Sequence, residues 1–403
     1  MEVSLQHSSS TFLSLNWKGF QLAEIVFCLA LASTCLPFKI YPFVFLISSV
    51  ISYLEAEKKP LYPWAICLSI FSIYAGISFF SIYEGQLTLL ASFTKLLINF
   101  IFLYFSAIWL SQRDNSNLLR LVDYTLHLIF LLSLVQLFLY HQAMDFQLVT
   151  GSSSSGQASL LYDEKLFFWG LNDKNMFGAR IALLGFIYIL IPVVSSNRIA
   201  LWRIGLIFIL AYLSLSRTPI VALLIGCGYL LWATSTKKYR ILILALLLVV
   251  SPFILYKIIR VDQLTASSDG MGVRLIYWKA FLEHFTEISP WGNGFMSAPT
   301  FLSEYAEFYH GEPHIHNTFM STYLQLGIIG FLSYALFLVF FIKAFLHKNA
   351  SKIFWIACFL PLIAIMCILY NGYDNDIVMY LSILLLFGTY NNVDFKSIKI
   401  GIK

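Results

Sequence analysis

Charge is what this sequence has least of: Asp, Glu, Lys and Arg make up 12% of its 403 residues, about half the share found in ordinary soluble domains. With 59% hydrophobic residues and a mean hydropathy of +0.78, a water-soluble core is excluded. Close cysteine pairs are also missing. Cys28, Cys35, Cys67, Cys227, Cys358 and Cys367 show no Cys-x-x-Cys spacing and lie in or beside apolar stretches, so they read as small packing residues, not as a disulfide framework or metal site. The basic, apolar, small-residue order of a cleaved leader is absent, because residues 1–16 are polar and the first long apolar run begins after Lys18. That run is expected to stay as a membrane span. What is present is a succession of apolar stretches of roughly 17–25 residues, each long enough to cross about 30 Å of hydrocarbon as a helix. The 37 Phe and 23 Tyr supply packing and interfacial anchors without pointing to an activity.

The expected fold class is therefore all-α, a polytopic membrane helical bundle forming a single integral-membrane domain over residues 1–403. Spans are expected near 19–36, 38–54, 62–83, 89–111, 118–140, 176–195, 199–216, 219–236, 241–257, 317–342, 353–370 and 377–391, which makes about twelve transmembrane helices. Alternate connections then carry most of the positive charge: Lys58/Lys59, Arg113, Arg198, Lys237/Lys238/Arg240, Lys343/Lys348/Lys352 and Lys396/Lys399/Lys403. By the positive-inside rule these connections and both termini are cytoplasmic. The opposite face receives two long loops, 141–175 and 258–315, and the short turn Asn371-Gly372-Tyr373-Asp374-Asn375-Asp376. In the first loop Gly151-Ser-Ser-Ser-Ser-Gly156 reads as flexible linker. The second has helix-compatible stretches at 271–285 and 299–309, bounded by Gly and Pro, and is expected to hold short helices.

Ionisable side chains at membrane depth are costly, so each is a functional candidate with a structural alternative. Arg217, in Leu215-Ser216-Arg217-Thr218-Pro219, falls at the outer boundary, against the positive-inside bias; anion binding and a snorkelling anchor both account for it. Arg180 lies about one turn inside the sixth span and needs a counter-charge, which Asp173 or a bound phosphate would supply. Asn172 and Asn175 suit either the cap of that helix or sugar hydroxyls, capping being favoured. Arg274 stands in a loop where Arg260, Arg274 and Lys279 face seven acidic residues between 260 and 314; it pairs with one of these or grips phosphate oxygens with its planar guanidinium. In His310-Gly-Glu-Pro-His314-Ile-His316-Asn317 three histidines invite a metal, but no cysteine or firm carboxylate spacing completes a set. Imidazole also accepts a proton near neutral pH, which suits activation of a hydroxyl. The Asp374-Asn375-Asp376 turn would bind Mg²⁺ or sugar, or simply face solvent, the last being favoured.

These residues together resemble one family. His316-Asn317, nine residues, then Gly327-Ile-Ile-Gly330 is similar to the His-Asn…Gly-x-x-Gly element of the O-antigen ligase and Wzy-type O-antigen polymerase superfamily. Arg274…Trp278 followed by Pro290-Trp291-Gly292-Asn293-Gly294 resembles the run that opens its large periplasmic loop. Ser216-Arg217 and Asn172–Gly178 match two further elements in the family's order. The resemblance covers about 172–330; the remainder matches only in hydropathy. It implies a GT-C-like fold and a metal-independent, inverting glycosyltransferase of the bacterial inner membrane, needing no cofactor, with its active site on the outer face. The implied donor is a glycan on undecaprenyl diphosphate. The implied acceptor is another lipid-linked repeat unit in a polymerase, or lipid A-core in a ligase, with polymerase favoured. Membrane lipids and a chain-length regulator are the other expected partners, and no nucleic acid. On this basis Arg217 and Arg274 bind the diphosphate and His316 serves the acceptor, with Arg180, Asn172, Asn175, Trp278, His314 and Asn317 as substrate-binding candidates. A secondary transporter or flippase for a lipid-linked sugar is the rival reading; it lacks support from internal symmetry or paired broken helices.

Overall fold

The computed structural model describes residues 20–36, 39–58, 60–143, 145–146, 174–253, 270–346, 352–369, 371–390 and 398–401. Among these, fourteen α-helices occur in chain order: α1 (Leu22–Ser33), α2 (Tyr41–Glu55), α3 (Pro63–Ile82), α4 (Leu87–Leu110), α5 (Ser116–Ala143), α6 (Lys174–Ser196), α7 (Leu201–Leu213), α8 (Thr218–Thr234), α9 (Lys237–Phe253), α10 (Gly270–Glu283), α11 (Ala298–Tyr305), α12 (Thr318–Leu346), α13 (Lys352–Met366) and α14 (Asn375–Phe387). Two three-residue strands, β1 (Arg198–Ala200) and β2 (Lys399–Gly401), pair in parallel. Every expected span coincides with a helix, and the two expected loop helices are α10 and α11. By length and composition, five helices are sufficient to cross a membrane: α3, α4, most of α5, α6 and most of α12. Six others are apolar but shorter. Most of the first long loop, with Asn172, Asp173 and the serine run, lies outside the described residues, as do residues 254–269 of the second.

Helix starts obey local chemistry. Proline occupies the first turn of α2, α3, α8 and α11, where its missing N–H is no loss. Faces are then sorted by surroundings. On α3, Ile66, Ile70, Ile73, Ile77 and Phe80 recur every three or four residues and are all exposed, while Trp64, Leu68, Phe71, Ala75 and Phe79 are buried. So large an exposed apolar stripe is a liability in water and the normal state of a helix facing lipid. α6 is enclosed on nearly all sides, with every residue from Ala179 to Leu190 buried except Arg180. It packs on α5, α7, α8, α13 and α14. Close approach is set by glycine: a Cβ on Gly226 of α8 would stand 2.5 Å from Pro361 of α13, and one on Gly178 of α6 2.8 Å from Ser216.

Residues that charge counting assigns to one side do meet at one end of the bundle. Arg113 pairs with Glu24 at 2.7 Å and with Glu55 at 3.6 Å. The Lys58 amide donates to Gln112 Oε1 at 2.8 Å, and Tyr390 Oη donates to the Asn115 carbonyl at 2.8 Å. Arg198 and Lys399 are partners in the β1–β2 register. The opposite end gathers the 371–376 turn, Arg180 and the loop carrying α10 and α11.

Candidate active site

The second loop carries its own hydrophobic core. On α10, Val273, Tyr277 and Phe281 face Ile288, Ala298, Phe301, Leu302, Ile315 and Leu324. Burial at 273, 274, 277, 280 and 281 matches the helical period, so Arg274 is drawn into the same face and is 6% exposed. The core thus does two things: it folds the loop, and it brings an arginine against the segment containing the histidines.

That segment is pinned to α10 by polar contacts. Trp278 Nε1 donates to the Ile315 carbonyl at 3.2 Å, between the two histidines. Tyr277 Oη donates to the Glu312 carboxylate and accepts from the His310 amide at 3.1 Å. The ring of Tyr277 lies parallel to that of His316 at 6.2 Å between centroids. His314 meets His316 ring to ring at 4.6 Å, whereas His310 turns onto Phe308. Among the described residues, no three His, Cys, Asp or Glu side chains come together as a metal-holding group.

His316 is set apart in two ways. Its φ of 58° is in the left-handed region, uncommon for a residue with a Cβ. Its pKa is held well below the usual 6.5, first by burial, then by His314 and by the cationic Arg274. Both effects disfavour imidazolium, so the ring is neutral near pH 7. The neighbouring Asn317 sustains the strained backbone. Its Oδ1 accepts from the amides of Phe319 and Met320, both at 3.0 Å, capping α12, and its Nδ2 donates to the Cys367 carbonyl at 3.1 Å. Asn317 and Trp278, expected to contact substrate, here spend these polar groups on placing His316.

The glycines answer one another. α12 breaks at Gly327 (φ 58°, ψ −156°). The backbone groups near the break are taken up by the Pro290–Gly294 motif: Asn293 N donates to Leu324 O at 2.8 Å, Gly294 N to Gln325 O at 3.1 Å, and Ile328 N to Pro290 O at 2.8 Å. A Cβ on Gly292 would lie 2.4 Å from Gln325 O, and one on Gly327 2.1 Å from Pro290 O. No other residue fits either place. On its far side the motif is held by α3, where Tyr74 Oη donates to Trp291 O at 2.7 Å and Ser78 Oγ accepts from Phe295 N at 2.9 Å.

The remaining candidates divide into two groups. Ser216 Oγ donates to Asn175 Oδ1 at 3.1 Å, joining the start of α6 to the Ser-Arg pair, and half-buried Arg217 is the N-cap residue of α8. Arg180 has a counter-charge that the sequence reading did not name, while Asp173 lies outside the described residues. It pairs with Asp376, Nε donating to Oδ1 at 2.8 Å and Nη2 to Oδ2 at 3.4 Å. The 371–376 turn is likewise not a solvated one, since Asp374 and Asp376 are 7% and 2% exposed. Lys95, which sequence reasoning passed over, forms the second ion pair, with Asp374. Its signal was a lone cation two turns inside an apolar run.

Residues 202–335 match a family model described as O-antigen ligase. That segment contains Arg217, Arg274, Trp278, His314, His316, Asn317 and the glycine motifs; Asn175 and Arg180 precede it. No curated protein matches the chain. The match supports a multi-pass membrane protein with an O-antigen ligase or polymerase type of function, acting on lipid-linked glycan and acceptor substrates.

Proposed function

We propose that this member of the O-antigen ligase and Wzy-type polymerase superfamily is a surface-polysaccharide polymerase. It transfers a glycan from undecaprenyl diphosphate to a sugar hydroxyl of a second lipid-linked repeat unit at the outer face of a bacterial inner membrane. The observation that carries the chemistry is the half-buried His316 next to the loop core that holds buried Arg274, whose charge helps to keep the imidazole pKa well below 6.5. A neutral imidazole can accept a proton, and a guanidinium can hold phosphate.

In the reaction the acceptor oxygen attacks the anomeric carbon, the bond from that carbon to the phosphate oxygen breaks, and the acceptor proton passes to His316. Nδ1 of His316 is enclosed without a hydrogen-bond partner, and we assign the proton transfer to Nε2. Arg274 and Arg217 take the charge that grows on the departing diphosphate. Stabilising charge that develops only at the transition state is what accelerates the step, and one such contact is worth about 3–4 kcal/mol. Attack opposite the leaving group inverts the anomeric centre. No step calls for a metal or cofactor, because the arginines supply permanent positive charge.

A second reading is favoured by the family description itself: a ligase would use the same residues and pass the glycan to lipid A-core. Complementation of a deletion strain with Arg217→Ala, Arg274→Ala and His316→Ala, read as glycan length on a gel, tests both. Loss of a polymerase leaves single capped repeats; loss of a ligase leaves bare core and long chains on the carrier. Normal glycan in all three variants at normal protein level would refute the mechanism.

A further inference from the structure

The turn between α13 and α14 is held more firmly than a connection needs to be. From α4, Lys95 pairs with Asp374 and Asn99 Nδ2 donates to the Tyr373 carbonyl at 2.7 Å. From α6, Arg180 pairs with Asp376 at 2.8 Å. From α12, Tyr334 Oη donates to the Gly372 carbonyl at 2.7 Å, and a Cβ on Gly372 would lie 2.3 Å from that ring. Asp374 is the N-cap residue of α14 yet makes no side-chain cap bond; its carboxylate goes instead to Lys95 and to the Asn371 amide at 3.0 Å. Here the carboxylates are buried and the cations half-buried, and an ion pair withdrawn from water is seldom the most stable filling of such a space, since apolar side chains of like volume often do as well or better. What paired charges provide is a fixed relative position.

The same turn touches the candidate active site directly, and the chain just before it does so once more. The Tyr373 ring stacks on Phe295 at 6.1 Å, and its hydroxyl donates to Met296 Sδ at 3.4 Å, next to the Gly292–Gly294 motif. Cys367, just before the turn, accepts through its carbonyl from Asn317, the cap residue adjoining His316. Met296, like His316, has a positive φ, 63°. Met296 therefore touches the clamped segment directly, and His316 is joined to the chain just before it through Asn317.

We infer that Lys95–Asp374 and Arg180–Asp376 form an electrostatic clamp on the 371–376 turn, and that this clamp sets the placement of the 291–296 segment and of His316 for glycan transfer. Lys95, Asp374 and Asp376 are positioning residues; Arg180 belongs to the clamp, not to the diphosphate site. The inference rests on the proposed transferase function, but its structural half is measurable without any reaction.

The test uses the full chain in lipid nanodiscs, as Lys95→Ala, Asp374→Ala and the exchanged pair Lys95→Glu with Asp374→Lys. Hydrogen exchange is followed in peptides spanning 291–297 and 313–320, with 218–234 as the remote control. In-vitro transfer from an undecaprenyl-diphosphate-linked glycan gives turnover at saturating donor and donor KM separately. Each single variant is expected to speed exchange at both site peptides but not at the control, and to lower turnover tenfold or more with KM within twofold. The exchanged pair is expected to turn over several-fold faster than either single variant, though below wild type because a lysine at position 374 cannot accept from the Asn371 amide. No gain over the single variants would overturn the charge pairing. Unchanged exchange at the site peptides, unchanged turnover, or a raised KM at normal turnover would each overturn the clamp, the last making Lys95 a donor contact. If wild type transfers to neither acceptor while exchange behaves as expected, the function falls and the clamp stands.

Discussion

At the scale of single residues, the proposed transfer turns on the protonation state of His316. Burial, His314 and Arg274 all push its pKa down, so the neutral form persists to lower pH than for an ordinary histidine near 6.5. Activity that needs the neutral ring is present above that lowered value and lost as pH falls through it. The acidic limb of kcat against pH is therefore expected below 6.5. Replacing Arg274 by Gln removes one of the depressing charges and should move the limb upward, besides lowering the rate; a limb that stays in place would separate His316 from the titration. Arg274→Lys tests a different property of the same residue. It keeps the charge and loses the planar fork, so a fall in turnover of about 10-fold or more at normal protein level is expected if phosphate is gripped bidentately. Tyr277 and Glu312 act through backbone placement, and their readout is whether His316 keeps its position.

Elements explain what single residues do not. α10 has little reason to exist alone, being a fourteen-residue helix in a loop; helices of that length are marginal in water without packing. Its stability comes from the small core shared with α11 and the start of α12, and the same packing delivers Arg274 to the histidines. The break in α12 is equally functional as architecture. Gly327 frees backbone groups that the Pro290–Gly294 segment satisfies, so two motifs distant in sequence form one hydrogen-bonded joint. Gly327→Ala combines a left-handed conformation with a Cβ 2.1 Å from a carbonyl oxygen. It is expected to cost about 1–3 kcal/mol. Thermal unfolding in detergent should show the loss, and limited proteolysis should cut first within 285–300. A variant as stable and resistant as wild type would mean the joint can re-form around a side chain.

At the scale of the whole molecule, the two ends differ in kind. One end carries ion pairs such as Arg113 with Glu24 and Arg203 with Asp123 at 2.5 Å, the latter guanidinium lying 4.2 Å over the ring of Tyr188. The other carries the loop core, the glycine joint and the clamped turn. Membrane orientation is set by charge placement, and cysteine accessibility in intact spheroplasts would check it. A cysteine at Glu304 should react with an impermeant reagent from outside, and one at Lys238 only after the membrane is opened. The reverse pattern would invert the topology and place the candidate site in the cytoplasm.

Much of this was legible in the sequence, because the information is local. Apolar runs set where helices form; proline and glycine set where they start and break; charge in alternate connections sorts them to two sides. The motifs around Arg217, Arg274 and His316 stand out for the same reason, as costly residues in short, punctuated segments. Tertiary structure decided what depends on contacts across the chain. Arg180 meets Asp376 from 196 residues away, and Lys95 meets Asp374 from 279. No spacing rule pairs such residues, since in sequence a lone lysine in an apolar run reads as a snorkelling side chain and an Asp-Asn-Asp turn reads as solvated. Only the packing of α4, α6, α12 and α14 around one turn buries the two carboxylates and brings the cations to them.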